Sequence, residues 1–517
     1  MKINIFKLIA WGMICSCLFS CIKNNKGEFE RSTPEKEGVR TEGIIRFIEE
    51  AQADSIDMHS LMILRHGKII AEGWWYPYKS DINHIMHSVT KTFISTAIGF
   101  AIDEKLITVN DKVISFFPDD LPAEISPNLE ALTVKHLLTM SVGQEPAPFI
   151  FISEPNWVKA FLATPIINPP GSVFLYNSYS SHMLSAIIQK ITGQTVSDYL
   201  KPRLFEPLNI KNIQWEIDPQ GINMGGWGMS IKTEDMAKLG QFYLQQGTWN
   251  GKQLLSKEWI NEASSVQIYQ PANLTDEDKS NDEWVQGYGY QIWRCTHNAY
   301  RADGSNGQFI IVMPEQDAVV VITENVMGDA QKVLKLVFKY LLPSMTDNEY
   351  PDNKEQNKKL TSILSSLLIP SPFHTNEKTE IMKDTTLSYS MDINNLQLQN
   401  ISFKFDKEAN CQLTLTIGGT SYEFPFGLDT WRYGETDKLS PYFLFPRRNP
   451  VGLAPFTVVG YGSWIKKDEL NLRLLYVNDY QEENYVCHFD GNKISITVSN
   501  TGDIWRKEQL ILTGIIQ

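Results

Sequence analysis

The sequence predicts an α/β (α+β) main domain followed by a C-terminal antiparallel β domain, and three observations carry that reading. Helical and strand patterns mix up to about residue 345. A polar, charged stretch from Asp347 to Lys358 then interrupts them, and beyond about Asn376 nearly every patterned segment is a strand between Gly, Asn and Asp turns. The 517 residues also exceed what one compact core usually needs at about 150 residues per domain. With 42% hydrophobic, 11% aromatic and 21% charged residues, the chain can fill buried cores and is neither disordered nor collagen-like. The boundaries expected are 40–345 for the main domain, 346–375 for a linker and 376–517 for the small β domain.

Each element of the main domain has its own signal. Ile44, Ile45, Phe47 and Ile48 mark the apolar side of a helix. Leu61-Met62-Ile63-Leu64, the His66-Gly67 turn and Lys68-Ile69-Ile70-Ala71 read as a β-hairpin. Near the other end, strands at Ile310–Val312 and Ala318–Ile322 flank Pro314-Glu315-Gln316-Asp317, and Val333, Leu334, Leu336, Val337, Tyr340 and Leu341 mark a closing helix. Strands from both ends can therefore assemble one antiparallel sheet flanked by helices, leaving the middle as an all-helical insertion. Past it, Leu360, Ile363, Leu364, Leu367 and Leu368 form a short amphipathic stretch. Leu413 to Ile417, Glu469 to Val477 and Ile494 to Val498 alternate or cluster β-formers.

The 47 basic and 60 acidic residues leave a formal charge of −13 with no basic block to neutralise phosphates, which argues against a nucleic-acid partner. At the N-terminus, Lys2 and Lys7 precede an apolar run from Leu8 to Phe19 that is too short to span a bilayer. It ends at Leu18-Phe19-Ser20-Cys21, which resembles a bacterial lipobox. The expectation is a lipoprotein signal peptide over 1–20, lipidation at Cys21, a tether over 21–39 and residence in the bacterial cell envelope, periplasmic or surface-exposed. An ordinary secretory peptide or an uncut anchor are the alternatives. Membrane contact would then run only through the lipid. Cys295, Cys411 and Cys487 remain, so at most one disulfide can form, and Cys411 with Cys487 is the plausible pair. His84 and His87 lack a third ligand nearby, so no metal is expected.

Ser88-Val89-Thr90-Lys91 opens an amphipathic helix with Val89, Phe93, Ile94, Ala97, Ile98 and Ala101 at helical spacing. Ser88 and Lys91, at i and i+3, share a face, and a serine at a helix N-terminus has free amides and the positive dipole end beside it. A cap followed by a solvated lysine would look the same. A second Ser-x-x-Lys, Ser463-Trp464-Ile465-Lys466, lies in strand-like surroundings where i and i+3 face opposite ways, and is discarded. Tyr176, in Phe174-Leu175-Tyr176-Asn177-Ser178-Tyr179, offers a phenol that could share a proton with a lysine and so supply a base for the serine. Ala302-Asp303-Gly304-Ser305-Asn306-Gly307-Gln308, just before a strand, offers a glycine-lined edge and an amide for an oxyanion hole with that of Ser88.

In this order these residues resemble the serine β-lactamase and penicillin-binding-protein-like hydrolases, nearest the class C β-lactamase, esterase and 6-aminohexanoate-dimer hydrolase branch. The resemblance covers about residues 40 to 343 and includes Arg65-His66-Gly67-Lys68, His87 to Phe93, Val134 to Met140, Gly225 to Ser230 and Asn325. It implies a β-lactamase/transpeptidase-like sheet domain with an all-helical domain and a cleft between them. Ser88 would be the acylated nucleophile, Lys91 its deprotonating partner and Tyr176 the proton-sharing base of a Tyr-x-Asn element whose third position is Ser178. Ala302-Asp303-Gly304 stands where the family has Lys-Thr-Gly, making Ser305 the second oxyanion donor. The Gly-x-x-Gly-Gln form, with Gly304, Gly307 and Gln308, is similar to the aminohexanoate branch.

Trp227, Tyr288 and Tyr290 are candidate substrate stackers, although large aromatics are more often core. Gly225 and Gly226 read as a tight turn. In the C-terminal part, Trp431, Tyr433, Tyr442, Phe443 and Trp464 fit core packing better than a binding surface. The expected activity is a serine hydrolase acting on a small ester, amide or peptide without metal or organic cofactor. A catalytically silent penicillin- or glycan-binding protein and a peptidoglycan D,D-peptidase are the alternatives. Oligomeric state is left open.

Overall fold

The computed structural model describes residues 28–145, 154–270, 275–326, 328–370, 373, 382–408, 410–441, 453, 455–500 and 510–517. The signal segment, Cys21, Tyr442 and Phe443 lie outside these residues.

The main sheet is built from both ends of its domain. Its strands are β1 (Met58–Arg65), β2 (Lys68–Trp74), β5 (Trp293–Arg294), β6 (Tyr300–Gly304), β7 (Gln308–Met313) and β8 (Ala318–Glu324), in the order β2-β1-β8-β7-β6-β5. The β1–β2 hairpin turns on His66 and Gly67, at φ of 51° and 72°, the left-handed pair that a two-residue turn requires. Alternation divides the apolar residues between two faces. Met62, Leu64, Ile310, Val312, Val319 and Val321 face a core shared with helices α2 (Thr90–Asp103), α3 (Ser178–Thr192) and α4 (Thr233–Leu244). Leu61, Ile63, Phe309, Ile311, Val320 and Ile322 face helices α1 (Thr41–Ala53) and α5 (Gln331–Leu336).

Helices dominate the insertion between β2 and β5. A short strand β3 (His84–Ile85) pairs there with β4 (Met229–Ile231). The α2 helix departs from the amphipathic reading: every residue from Thr90 to Ala101 is buried, so it runs through the core rather than along the surface. The amphipathic stretch after residue 353 is helix α6 (Lys354–Ser365), docked so closely on β2 that a Cβ at Gly73 would lie 3.0 Å from Leu364, and 2.6 Å from Leu367 just past the helix.

The C-terminal strands are β9 (Thr385–Met391), β10 (Leu398–Phe405), β11 (Cys411–Ile417), β12 (Thr420–Leu428), β13 (Trp431–Thr436), β14 (Phe456–Lys466), β15 (Glu469–Tyr476), β16 (Gln481–Asp490), β17 (Lys493–Asn500) and β18 (Leu510–Ile516). They form one sheet of ten strands among the described residues, and a parallel contact of Phe426–Leu428 with Gly460–Gly462 closes it into a barrel-like form. Closure removes most of the exposed edge that an open sheet would present. Phe403, Phe405, Phe424, Phe426 and Trp464 fill its interior, whereas Trp431 and Tyr433 are half-buried and pack against the apolar cluster shared with the main domain. Ser463 and Lys466 sit within β14, not on a helix. Cys411 and Cys487 are both buried in that core as free thiols, which corrects the expected pairing.

Helix α4 crosses the sheet with Gly240 at the point of contact, where an added Cβ would meet Val319 Cγ1 at 2.6 Å and Ile310 Cγ2 at 2.8 Å. Gly240→Val should therefore destabilise the chain by about 1–3 kcal/mol through overpacking, read as a lower urea midpoint with an unchanged m-value.

Candidate functional site

Ser88 lies in a 3₁₀ turn (His87–Val89) that leads directly into α2, so its place before the helix follows from the chain path rather than from a side-chain cap. Lys91, one turn on, is 1% exposed. Its Nζ donates to Ser88 Oγ at 2.8 Å, to Ser178 Oγ at 3.1 Å and to the Gly226 carbonyl at 2.6 Å. An ammonium has three donors and these three acceptors use them all. Burial pushes the Lys91 pKa down from 10.5 to about 7, with the Asp303 carboxylate pulling the other way. A neutral amine keeps two donors and gains a lone pair. The Gly226 carbonyl can only accept, so the lone pair is free to face a hydroxyl.

Tyr176 precedes the α3 cap. Asn177 Oδ1 accepts from the amides of Tyr179 and Ser180 at 2.9 and 3.3 Å, and Asn177 Nδ2 donates to Gln144 Oε1 at 2.9 Å. That cap fixes Tyr176 before the helix and Ser178 on its first residue. The Tyr176 hydroxyl hydrogen-bonds Ser88, and Lys91 Nζ lies 4.7 Å from the centre of the Tyr176 ring. Burial raises the phenol above its ordinary range, against the smaller opposing effect of the Ser88 bond. Tyr176 is thus a neutral phenol, while Lys91 is the group held near neutrality. Ser178, at the third position of the Tyr-x-Asn element, meets Lys91 directly.

The Gly225-Gly226 pair lies in a bend of the chain and is also closely packed. A Cβ on Gly225 would lie 2.2 Å from the Ser181 carbonyl oxygen, and one on Gly226 would lie 2.6 Å from that of Ser178. Only glycines let this strand of chain touch α3 and aim a carbonyl at Lys91. Trp227 does not stack in a cleft. It is 4% exposed and packs against Trp157 and Tyr179, with ring centres 6.0 and 5.9 Å away. Tyr290 is likewise buried, its hydroxyl donating to Glu262 Oε1 at 2.6 Å.

The end of β6 meets the turn that carries Ser88. A Cβ at Gly304 would stand 2.4 Å from the Met86 carbonyl oxygen, so a bare backbone is needed there. Ser305 follows, exposed, in the turn to β7. Gly307 sits at φ 89°, and a Cβ there would collide with the Glu324 side chain at 2.0 Å. Gln308 braces the turn: Nε2 donates to the carbonyls of Glu324, Asn306 and Ser305 at 2.7, 3.2 and 3.3 Å. Ala302 points into the core shared with α2. Arg301 and Asp303 share the other face and form a buried ion pair at 2.7 Å. Arg301 also donates to the Glu283 carbonyl and lies over the rings of Trp284 and Trp293 at 4.9 and 5.6 Å. Burial raises the Asp303 carboxyl above the usual range against the pull of that guanidinium. The Asp303 carboxylate is therefore matched by the Arg301 cation on the same face.

Sequence reasoning singled out Tyr288 and Tyr290 but missed Trp293, whose ring stacks on Tyr176 with centres 5.7 Å apart. The signal available was the aromatic density of Trp284 to Trp293.

The beta-lactamase family profile matches residues 44–339, more than half of the chain, and the chain belongs to that family. The 6-aminohexanoate-dimer hydrolase of Paenarthrobacter ureafaciens is 22% identical over 312 residues, 56% of this chain and 79% of that protein. A penicillin-binding protein homologue from Caulobacter crescentus superposes with a TM-score of 0.48 at 15% identity, covering 60% of this chain and 99% of that one. The octameric penicillin-binding protein homologue from Pyrococcus abyssi gives 0.46 at 16% identity, over 88% of this chain and 97% of that one.

The Lys91 value sets a pH dependence. Below pH about 7 the group is an ammonium without a lone pair, and above it a neutral amine that can take a proton from Ser88. The rate at which Ser88 reacts with a fluorophosphonate should rise with pH along a limb centred near 7. A limb centred near the 10.5 of a free lysine would contradict the burial argument.

Proposed function

We propose that the protein is a serine hydrolase that cleaves a neutral ester or amide through an acyl-enzyme on Ser88. The observation that carries this reading is the Lys91 amine, buried and bonded to Ser88 Oγ at 2.8 Å. The neutral amine takes the serine proton as Oγ attacks the carbonyl carbon. The amides of Ser88 and Ser305 receive the developing oxyanion, a role supported by the close approach of Gly304 to Met86. Tyr176, kept protonated and hydrogen-bonded to Ser88, passes a proton to the leaving alcohol or amine and is recharged from Lys91. Water then attacks the acyl carbon by the same route in reverse and frees Ser88. The family membership supports a hydrolase, and the 6-aminohexanoate-dimer hydrolase similarity supports amides among its substrates.

Ser88→Ala should abolish turnover, and Lys91→Ala and Tyr176→Phe should each cost roughly 10³-fold in kcat, with the double variant little worse than either. Additive losses, or an active Ser88→Ala enzyme, would refute the assignment.

Substrate charge is the second expectation. Ala302 supplies no cation, and Arg301 is committed to Asp303 on the opposite face of the strand. A carboxylate held in the cleft would lose hydration without a partner. Matched substrates should therefore show kcat/KM at least about tenfold higher for a methyl-esterified carboxylate than for the free acid. Preference for the free acid, or rapid stoichiometric labelling by penicillin, would favour a peptidoglycan substrate instead.

A further inference from the structure

The chain that leads into Ser88 is held from two sides by two different domains. On one side β3 pairs with β4, His84 opposite Ile231 and Ile85 opposite Ser230, and the Met86 amide donates to the Met229 carbonyl at 2.8 Å. Successive amides of an extended chain point opposite ways. The Ile85 amide accordingly turns outward, to the C-terminal domain, where it donates to the Asn478 carbonyl at 2.7 Å. Asn478 Nδ2 donates back to the Asn83 carbonyl at 3.2 Å. Two residues on, the Tyr480 hydroxyl and His87 Nε2 are hydrogen-bonded at 2.7 Å.

Both partners of this last bond are buried, His87 and Tyr480 each at 2% exposure, so bulk water has no access to replace either. Both also hold a positive φ, 45° at His87 and 55° at Tyr480, which is unfavourable for a side chain of this size unless surrounding contacts hold it. On the barrel side those contacts are visible. Asp479 accepts from Ser440 Oγ at 2.5 Å and from the Gln481 amide at 3.2 Å, and Asn478 Oδ1 accepts from the Thr457 amide at 2.7 Å. The Tyr480 ring stacks on His84 with centres 6.1 Å apart. His84 Nδ1 faces the Ile85 carbonyl at 3.0 Å and so carries its proton, which leaves Nε2 to accept from His59 Nδ1 at 2.9 Å. The hairpin tip between β15 and β16 is thus a fixed platform, and His87 is the residue it grips.

We propose that Tyr480 of the C-terminal domain is a positioning residue for the nucleophile. By holding His87 in its left-handed turn, it sets the direction in which Ser88 Oγ leaves the backbone, toward Lys91 and the oxyanion amides. The inference rests on Ser88 being the acylated residue. It gives the C-terminal domain a part in the reaction without any contact with substrate.

The test uses the full-length chain as wild type, Y480F and Y433F. Tyr433 makes a comparable bond across the same interface, from its hydroxyl to the Pro77 carbonyl, but touches nothing in the nucleophile turn. The readouts are the second-order rate of Ser88 labelling by a fluorophosphonate, kcat and KM on p-nitrophenyl butyrate, and the thermal midpoint. Y480F should lower labelling and kcat by about tenfold with KM within about twofold, because a small misalignment of a reacting atom acts on the rate and not on binding. Y433F should stay within about twofold of wild type on both rates whatever its thermal midpoint. Should Y480F not fold, H87L removes the same bond from its other end and should give the same split between kcat and KM. Equal labelling of Y480F and wild type, or equal losses in Y480F and Y433F, would overturn the inference. A wild-type chain that takes no label at Ser88 would overturn the hydrolase reading itself.

Discussion

A primary amine enclosed by protein is the constraint around which the rest of the site is arranged. Lys91 cannot be buried without acceptors for its hydrogens, and each acceptor imposes a demand on a different part of the chain. The Gly226 carbonyl can reach it only if residues 225 and 226 have no side chains, because α3 occupies the space a Cβ would need. The Ser178 hydroxyl can reach it only if α3 begins at that residue, which the Asn177 cap ensures. The all-round burial of α2 keeps water from supplying the hydration that would return the amine to its ordinary basicity.

A second buried charge is handled differently. Arg301 and Asp303 neutralise one another within a single strand face, and the guanidinium finds further contacts in two tryptophan rings and a backbone carbonyl. Such a pair contributes little net stability, since desolvation offsets much of the attraction. What it does is place a rigid, electrically balanced block beneath Trp293, whose ring in turn stacks on Tyr176. The Tyr176 phenol is therefore backed by an aromatic ring on an ionic base, and the Asp303 charge adds to burial in raising that phenol.

How much of this was legible in the sequence depended on distance along the chain. The Ser88–Lys91 neighbourhood follows from helical spacing alone, and the His66-Gly67 hairpin from turn chemistry, because both are local rules. Strand alternation sets Arg301 and Ala302 on opposite faces, yet nothing in a period of two says that the guanidinium would meet Asp303 and two tryptophans. Gly226 was legible as a glycine but not as the carbonyl acceptor for Lys91, since its role is written in the helix packed against it. The bond between His87 and Tyr480 joins residues 393 apart, and no pattern in either segment announces the other. For Cys411 and Cys487, spacing in a β domain suggested a bridge, whereas strands β11 and β16 hold them as separate thiols in the barrel core.

The pairing of β1 with β8 has a consequence for how the molecule comes into being. A ribosome delivers the β1–β2 hairpin early, but its neighbour in the sheet emerges only after the whole helical insertion has been made. Until then an apolar strand edge stands without a partner, a condition that invites association with other chains and gives chaperones something to hold. The barrel, with the tip that meets His87, is translated after the last strand of that sheet. The partner of His87 is thus made near the end of synthesis, so a nascent or truncated chain carries Ser88 and Lys91 without the full set of supports around them.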